Sequence, residues 1–181
     1  MIDACLKGDA IAQRQLYFLF ASKMMGVCRR YAKNNEEAED ILQEGFASVF
    51  TKLYQFKMQG SLEGWIRRVM ISRAIEQYRK QAHVFPMTDI EEVEHKLASP
   101  DDVLSAISAD ELLHMISELP AMHRVVFNLY IFEDMEHKDI ASELKIPIGT
   151  SKSTLFYARM MLRKRIEQSM QVAKKRNYNE K

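Results

Sequence analysis

The sequence predicts an all-α protein built from two small helical domains joined by an acidic linker. Apolar residues recur at the 3.6-residue spacing of amphipathic helices on both sides of the chain's middle. No stretch shows the alternating pattern of a strand or the turn of a β-hairpin. In between, residues 84–100 lack a helical period and contain Pro86 and Pro100, which disfavour helix at the residues before them.

The charge distribution supports the same division. Residues 1–83 carry 13 Lys and Arg against 9 Asp and Glu. Residues 84–120 carry 1 against 9, and residues 121–181 carry 12 against 7. Two basic ends therefore flank an acidic middle. The predicted first domain, linker, second domain and basic tail are residues 1–83, 84–100, 101–170 and 171–181.

Composition excludes several classes of protein. Hydrophobic residues make up 47% and charged residues 28% of 181 residues, which is typical of a globular chain. No apolar run reaches the roughly 20 residues of a membrane-spanning helix, and the first residues lack a basic signal-peptide region, so we expect a cytoplasmic protein without membrane insertion. Cys5, Cys28 and the histidines have no metal-ligand spacing, so neither a metal nor another cofactor is expected.

In the first domain, the clearest helix begins after the capping pair Asn34 and Asn35. Its apolar residues fall on one face when each residue is turned by about 100°. Asp40, Gln43 and Glu44 project together from the opposite face. A merely solvated acidic face is the alternative to a binding surface here.

A second long helix of this domain is predicted from near Ser61 to about Ala82. It has apolar residues on two sides, which indicates a central position with narrow polar stripes. One such stripe carries Arg68, Ser72 and Arg79.

The loop between these helices, residues 54–60, combines aromatic and polar side chains, among them Phe56 and Lys57. Aromatic rings beside cations can stack unpaired bases and hold a nucleic-acid backbone. Rings of this kind also commonly belong to a core.

Four helical segments are predicted in the second domain. Pro120 ends the first of them. The segments are residues 101–118, 121–132 and 136–144, and a last helix that starts between Pro147 and Thr150.

The last two segments and the tight turn between them are typical of a helix-turn-helix. Leu155, Ala158, Leu162 and Ile166 fall on the inward face of the last helix. From Lys145 to Arg176 there are 9 cations and one anion, which predicts DNA as the partner. The outward side carries Lys152, Ser153, Phe156, Tyr157, Arg159, Arg163 and Lys164. An exposed Phe156 suits contact with a thymine methyl group, and a protein interface would also explain it.

Four blocks of this sequence, in order and spacing, resemble the extracytoplasmic-function (ECF) subfamily of the bacterial sigma-70 factors. The resemblance extends from about Ile2 to Ile166. The blocks are Asp40–Phe46; Gly60–Ile66; Leu119 and Pro120 followed by Arg124–Phe127; and Ile140 and Ala141 followed by Ile146–Ser153.

The resemblance implies a sigma factor that binds bacterial core RNA polymerase and directs it to promoter DNA. The first domain would be sigma region 2, in which Asp40, Gln43 and Glu44 dock on the polymerase. The second domain would be sigma region 4, a helix-turn-helix. Members of this family often have an anti-sigma factor as a further partner. The residues implied to recognise and melt the minus-ten element are Phe56, Lys57, Arg68, Ser72 and Arg79. Those implied to read the minus-thirty-five element are Thr150, Lys152, Ser153, Phe156, Tyr157, Arg159 and Arg163.

Several positions depart from the family's usual residues. Lys145 replaces the glycine that usually follows the third helix of region 4, at a cost of about 1 kcal/mol if its backbone is left-handed. Ser151 occupies a position that is usually apolar, and Thr154, Phe156 and Tyr157 replace a common pattern of cations. The resemblance therefore does not give the promoter sequence, and the less basic start of the last helix predicts weaker phosphate anchoring than is typical of the family.

Two other functions compete with that of a sigma factor. A helix-turn-helix regulator that does not join polymerase would leave the block Asp40–Phe46 unexplained. A helical interaction protein that binds no DNA would leave the basic second domain unexplained. An enzyme is not expected, because the sequence contains no phosphate-binding loop and no nucleophile elbow.

Overall fold

The computed structural model describes the backbone of residues 1–84 and 108–179, and most side chains within those ranges. The chain divides into two compact units, Met1–Phe85 and Pro86–Lys181. Within the described ranges, all regular secondary structure is helical. The predicted all-α class is confirmed.

Unit 1 is a helical bundle in which three long helices pack on one another. Its helix α2, which the sequence patterns did not delimit, begins at the N-cap Asp9, whose carboxylate accepts hydrogen bonds from the backbone of Ile11 and Ala12. The elements are α1 (Ile2–Leu6), α2 (Ala10–Tyr31), α3 (Asn35–Lys52), a 3-10 turn (Leu53–Gln55) and α4 (Leu62–Val84).

The helix starts that were predicted in unit 1 are confirmed. The side chain of Asn34 caps α3 by accepting a 2.8 Å hydrogen bond from the backbone N–H of Glu37. Ser61 precedes α4, and its hydroxyl accepts a hydrogen bond from the N–H of Gly64. α4 ends at Val84, slightly beyond the predicted end, and contacts both α2 and α3. Its central position explains why it has two apolar sides.

Gly45 lets α3 and α4 approach closely. Gly45 is buried on α3, and a Cβ atom added to it would lie 2.1 Å from the Sδ atom of Met70 on α4. Met70 is itself fully buried, so its thioether fills the space that the glycine leaves. The block Asp40–Phe46 therefore contains a packing residue next to its exposed acids.

The described part of unit 2 contains four helices, of which α8 is the longest. The described part of its first helix begins after Ser108, whose hydroxyl accepts a hydrogen bond from the N–H of Glu111. The earlier start predicted near Asp101, and most of the predicted linker, lie outside the described residues. The elements are α5 (Ala109–Ser117), α6 (Ala121–Ile131), α7 (His137–Leu144) and α8 (Ile148–Asn179).

The inward face of α8 carries the core of unit 2. Leu155, Ala158, Leu162 and Ile166 are all buried, as predicted, and the last three pack with Met115, Ile116 and Leu119. The segment predicted as a basic tail continues α8 as far as Asn179.

The turn between α7 and α8 is built on Lys145, which adopts a left-handed conformation at φ 56°. The N–H of Ile146 donates to the carbonyl of Ala141, so the turn closes as a Schellman motif. α8 begins directly after Pro147, within the predicted interval. The predicted cost of about 1 kcal/mol at Lys145 required a left-handed backbone, and Lys145 has that backbone.

Candidate functional site

The outer face of α3 presents an acidic surface. Asp40, Gln43 and Glu44 are all exposed. The residues that flank them on the other side of the helix, such as Ile41 and Leu42, are buried. α3 therefore separates a packing face from a polar face, as its periodicity predicted, and holds three hydrogen-bonding side chains on one rigid element.

The loop before α4 exposes apolar and aromatic side chains. Tyr54 is 71% and Met58 is 68% exposed, whereas Phe56 is half-buried. Positive φ angles at Met58 (57°) and Gly60 (87°) turn the chain toward α4. Lys57 is exposed beside them. Exposed apolar groups are unfavourable in water, so a group of them on one loop is typical of a surface that contacts a ligand.

Phe56 is fixed against the first turn of α4. Its ring lies 5.8 Å from that of Trp65, centroid to centroid, with the planes tilted by 46°. The sequence patterns pointed to Phe56 and Lys57 in this loop but missed Tyr54, Met58 and Trp65. The exposure of Tyr54 and Met58 could not be predicted because the loop has no periodicity, and the contact of Trp65 with Phe56 joins α4 to that loop.

Along α4, Arg68 and Ser72 are exposed, and Arg79 is half-buried. Their spacing of four and seven residues keeps them on one stripe of the helix. Trp65 lies about one turn before Arg68 on α4, so the stripe begins close to the residue that contacts Phe56.

The outward face of α8 has two parallel stripes. The spacing of Lys152, Phe156, Arg159 and Arg163 places them within one narrow sector of the helix. Thr150, Ser153 and Tyr157 form a second sector beside it. The seven residues predicted on this helix thus extend over about half of its circumference. Thr154, which was considered for the reading face, is instead buried and faces the core.

Four large side chains on this face have neighbours that restrict them. Phe156 and Tyr157 meet edge to face, with ring centroids 5.4 Å apart. The guanidinium carbon of Arg159 lies 5.5 Å from the ring centroid of Tyr130 on α6. Arg163 donates a 2.9 Å hydrogen bond to Glu167. Arg159 is thus held by an aromatic ring, whereas Arg163 is held by a carboxylate.

A polar contact joins α7 to α8 beside this face. His137 Nδ1 and Ser151 Oγ lie 2.9 Å apart, a hydrogen-bond distance, and Ser151 is completely buried. The departure from an apolar residue at Ser151 is therefore compensated by a partner. Burial, Lys152 and Arg159 lower the pKa of His137, so that its ring is neutral at neutral pH. Sequence patterns did not single out His137 or Tyr130.

Comparisons with known proteins agree with this division into units. Residues 16–84 match the family model of Sigma-70 region 2, and residues 109–162 match that of Sigma-70, region 4. The RNA polymerase sigma-H factor of Pseudomonas aeruginosa is 26% identical over 178 residues, which cover 92% of each chain. The ECF RNA polymerase sigma factor SigW of Bacillus subtilis is 26% identical over 171 residues, covering 88% of this chain and 91% of its own.

The chain belongs to the ECF sigma factors of the sigma-70 family. A solved sigma factor, RpoE of Bartonella quintana in complex with the anti-sigma factor NepR, has a similar fold. It is 21% identical, with a TM-score of 0.50, and the match covers 83% of this chain and 94% of that one. In the part of this sigma factor that the structure describes, no helix is long and apolar enough to cross a membrane.

Proposed function

We propose that this sigma factor binds core RNA polymerase through α3 and reads two promoter elements, one with each unit. The observation that supports this most directly is the exposure of a distinct polar or basic surface on each of the two matched family regions. A helix-turn-helix regulator that does not join polymerase is the weaker alternative, because it would not explain the block Asp40–Phe46, which lies within the region 2 match.

Asp40, Gln43 and Glu44 form the proposed docking surface for core polymerase. They lie on a helix whose opposite face is buried in the core of unit 1, so their positions are fixed before binding. Two carboxylates and an amide suit a basic or polar partner surface.

Phe56, Lys57, Arg68, Ser72 and Arg79 form the proposed surface for the minus-ten element. Unstacking a base costs a few kcal/mol, which rings and cations at the binding surface can offset. Phe56 is supported by Trp65, and the exposed Tyr54 and Met58 add apolar surface beside it.

The outward face of α8 is the proposed reader of the minus-thirty-five element. Thr150, Lys152 and Ser153 lie in its first turns, where a recognition helix enters the major groove. Cations on phosphates fix the register of the helix, while Phe156 and Tyr157 offer apolar contact to base edges. Arg159 and Arg163 follow further along the same face.

The decisive experiment combines the full chain with bacterial core RNA polymerase and a library of genomic promoter fragments. Specific run-off transcripts that depend on the chain are expected. DNA binding without association with core polymerase would contradict a sigma factor and favour the helix-turn-helix regulator.

Single charge reversals on α3 test the docking surface in the same assay. Asp40→Lys and Glu44→Lys should each abolish association with core polymerase and with it the transcripts. Asp3→Lys is the matched control, since Asp3 is an exposed carboxylate of the same unit on a different helix, α1. Equal losses in all three variants would remove Asp40 and Glu44 from a specific surface.

On the reading face we test truncation to alanine rather than charge reversal, because truncation removes a contact without adding a repulsive charge. Lys152→Ala should weaken promoter binding and reduce the salt dependence by about one counterion. Lys7→Ala, at an exposed position of unit 1, is the control. An unchanged affinity and salt slope for Lys152→Ala would exclude Lys152 from the DNA contact.

The remaining assignments follow from this role. We place the protein in the cytoplasm, where polymerase and promoter DNA meet, and assign the chemistry of RNA synthesis to the polymerase rather than to this chain. An anti-sigma factor is a proposed partner, because the solved relative was crystallised with one.

A further inference from the structure

We propose that Tyr130 and His137 orient Arg159 on the reading face of α8, so that both rings set DNA affinity without contacting DNA themselves. This proposal rests on the proposed role of α8 as the reader of promoter DNA. It assigns a positioning role to two residues outside the recognition helix, one on α6 and one at the start of α7.

The first step is the contact between Arg159 and Tyr130. The guanidinium carbon lies 5.5 Å from the ring centroid, within cation–π distance. Such a contact uses the face of the guanidinium and leaves the N–H donors in its plane free to bind phosphate or guanine. Within the described residues, no carboxylate lies at ion-pair distance from Arg159. Arg163, by contrast, is already bonded to Glu167.

The second step is the support of the Tyr130 ring. The imidazole of His137 stacks on it, with centroids 4.8 Å apart and planes inclined by 26°. His137 is held in turn by the hydroxyl of Ser151, 2.9 Å from Nδ1. Since Ser151 is buried in α8, the chain of contacts starts and ends on the reading helix. Residues of α6, α7 and α8 thereby hold one arginine.

The third step is the consequence for binding. A long exposed side chain loses rotamer freedom when it contacts DNA, and this loss weakens binding. A side chain that is already ordered loses less, so pre-ordering increases affinity without a new contact. His137 suits this position because its neutral ring does not repel Arg159 at neutral pH.

A double-mutant cycle on the full chain tests the proposal, with binding to a mixed-sequence DNA duplex measured by fluorescence anisotropy at low salt. Tyr130→Phe keeps the ring and should bind like the wild type. Tyr130→Leu should weaken binding about threefold. Arg159→Ala should lose much less affinity in the Tyr130→Leu background than in the wild type, because the two residues act together. Effects that simply multiply would overturn the proposal.

His137 is tested with two variants of different chemistry. His137→Gln retains a polar partner for Ser151 but removes the stacked ring, and His137→Ala removes both. Both variants should weaken DNA binding when Tyr130 and Arg159 are unchanged. Neither should weaken it further when combined with Arg159→Ala. A loss that persists without Arg159 would indicate general damage to the fold rather than positioning.

A measurement without DNA guards against variants that fold poorly. In the wild-type chain, the side-chain protons of Arg159 should show NMR shifts that are moved upfield by the Tyr130 ring. Shifts typical of a freely rotating arginine would overturn the proposal. If Arg159→Ala binds the duplex as tightly as the wild type does, the proposed contact of α8 with DNA itself fails. If Arg159→Ala binds weakly but shows no coupling to Tyr130, only the positioning proposal fails.

Discussion

At the residue scale, Lys145 and His123 of unit 2 each occupy a position that is unfavourable for that residue type. Lys145 adopts a left-handed backbone that favours glycine. His123 is 3% exposed, and in the described structure neither ring nitrogen has a hydrogen-bond partner. The sequence revealed the first conflict through the family pattern. It could not reveal the second, because a histidine within an apolar helix gives no sign of which neighbours surround it.

Lys145→Gly should stabilise unit 2 by about 1 kcal/mol, because glycine adopts the left-handed conformation without steric cost. Chemical unfolding followed by circular dichroism measures the change. The only tryptophan, Trp65, lies in unit 1, so its fluorescence is an internal control that should not shift. Lys145→Ala removes the same charge but keeps a Cβ atom. If it stabilises the unit as much as Lys145→Gly does, charge rather than backbone conformation is responsible.

His123 should make unit 2 sensitive to acid. Burial lowers its pKa below the ordinary value of 6.5, so the unfolded chain binds a proton more readily than the folded one. Stability is then fully present above pH 6.5 and declines as the pH falls below it. His123→Leu should reduce this decline and, by removing unpartnered polar atoms, add about 1 kcal/mol at neutral pH.

Unfolding curves at neutral and mildly acidic pH measure the effect, again with Trp65 reporting on unit 1. The pKa of His137 is lowered as well, but His137 is only partly buried and has a partner in Ser151. His137→Gln is therefore the comparison. A wild-type stability that is unchanged between the two pH values would rule out the proposed role of His123.

At the element scale, helix periodicity predicted which faces are buried but not how closely the helices approach. α3, α4, α7 and α8 begin at or close to the predicted residues, because capping side chains and prolines mark helix starts locally. The inward face of α8 was also predicted correctly. The pairing of Gly45 with Met70 could not be predicted, since it depends on the packing of two helices that are distant in sequence.

Gly45→Ala should destabilise unit 1 by about 1 to 2 kcal/mol. The added methyl group favours the helix by about 1 kcal/mol. It also meets the Sδ atom of Met70 at 2.1 Å in a closed core, and overpacking of this kind costs more. Gly26→Ala on α2 is the matched control, since its Cβ atom would meet nothing within 4 Å.

The Gly26→Ala variant should gain about 1 kcal/mol from helix propensity. Trp65 fluorescence during urea unfolding measures both variants. A gain of stability in Gly45→Ala would mean that Met70 can move aside, and that the close approach of α3 and α4 is not required. Gly45→Ala should cost less in a Met70→Ala background than in the wild type, because the thioether that the new methyl group meets is then absent.

At the scale of the whole molecule, the charge pattern along the chain is enough to indicate two functional units. Net charge is only +1, because the acidic middle offsets two basic ends. Each family region overlaps one of those ends, and the residues proposed to bind DNA all lie in the basic parts. The residues on each face followed from periodicity. Their neighbours, such as Tyr130 beside Arg159, did not, because contacts between helices leave no local pattern.

The acidic segment should restrain the free protein from binding DNA without sequence preference. Replacing Asp89, Glu91, Glu92 and Glu94 with their amides raises the formal net charge from +1 to +5. Long-range attraction to the phosphate backbone grows with this charge. The amide variant should therefore bind mixed-sequence DNA several-fold more tightly at about 0.05 M salt. The gain should disappear at about 0.5 M, where the screening length is only a few ångströms. A variant with Asp3, Glu36, Glu39 and Asp134 changed to amides has the same net charge but keeps the acidic segment, and it is the control. If both variants bind DNA equally tightly, total charge alone governs the attraction, and the position of the acids in the middle of the sequence has no role of its own.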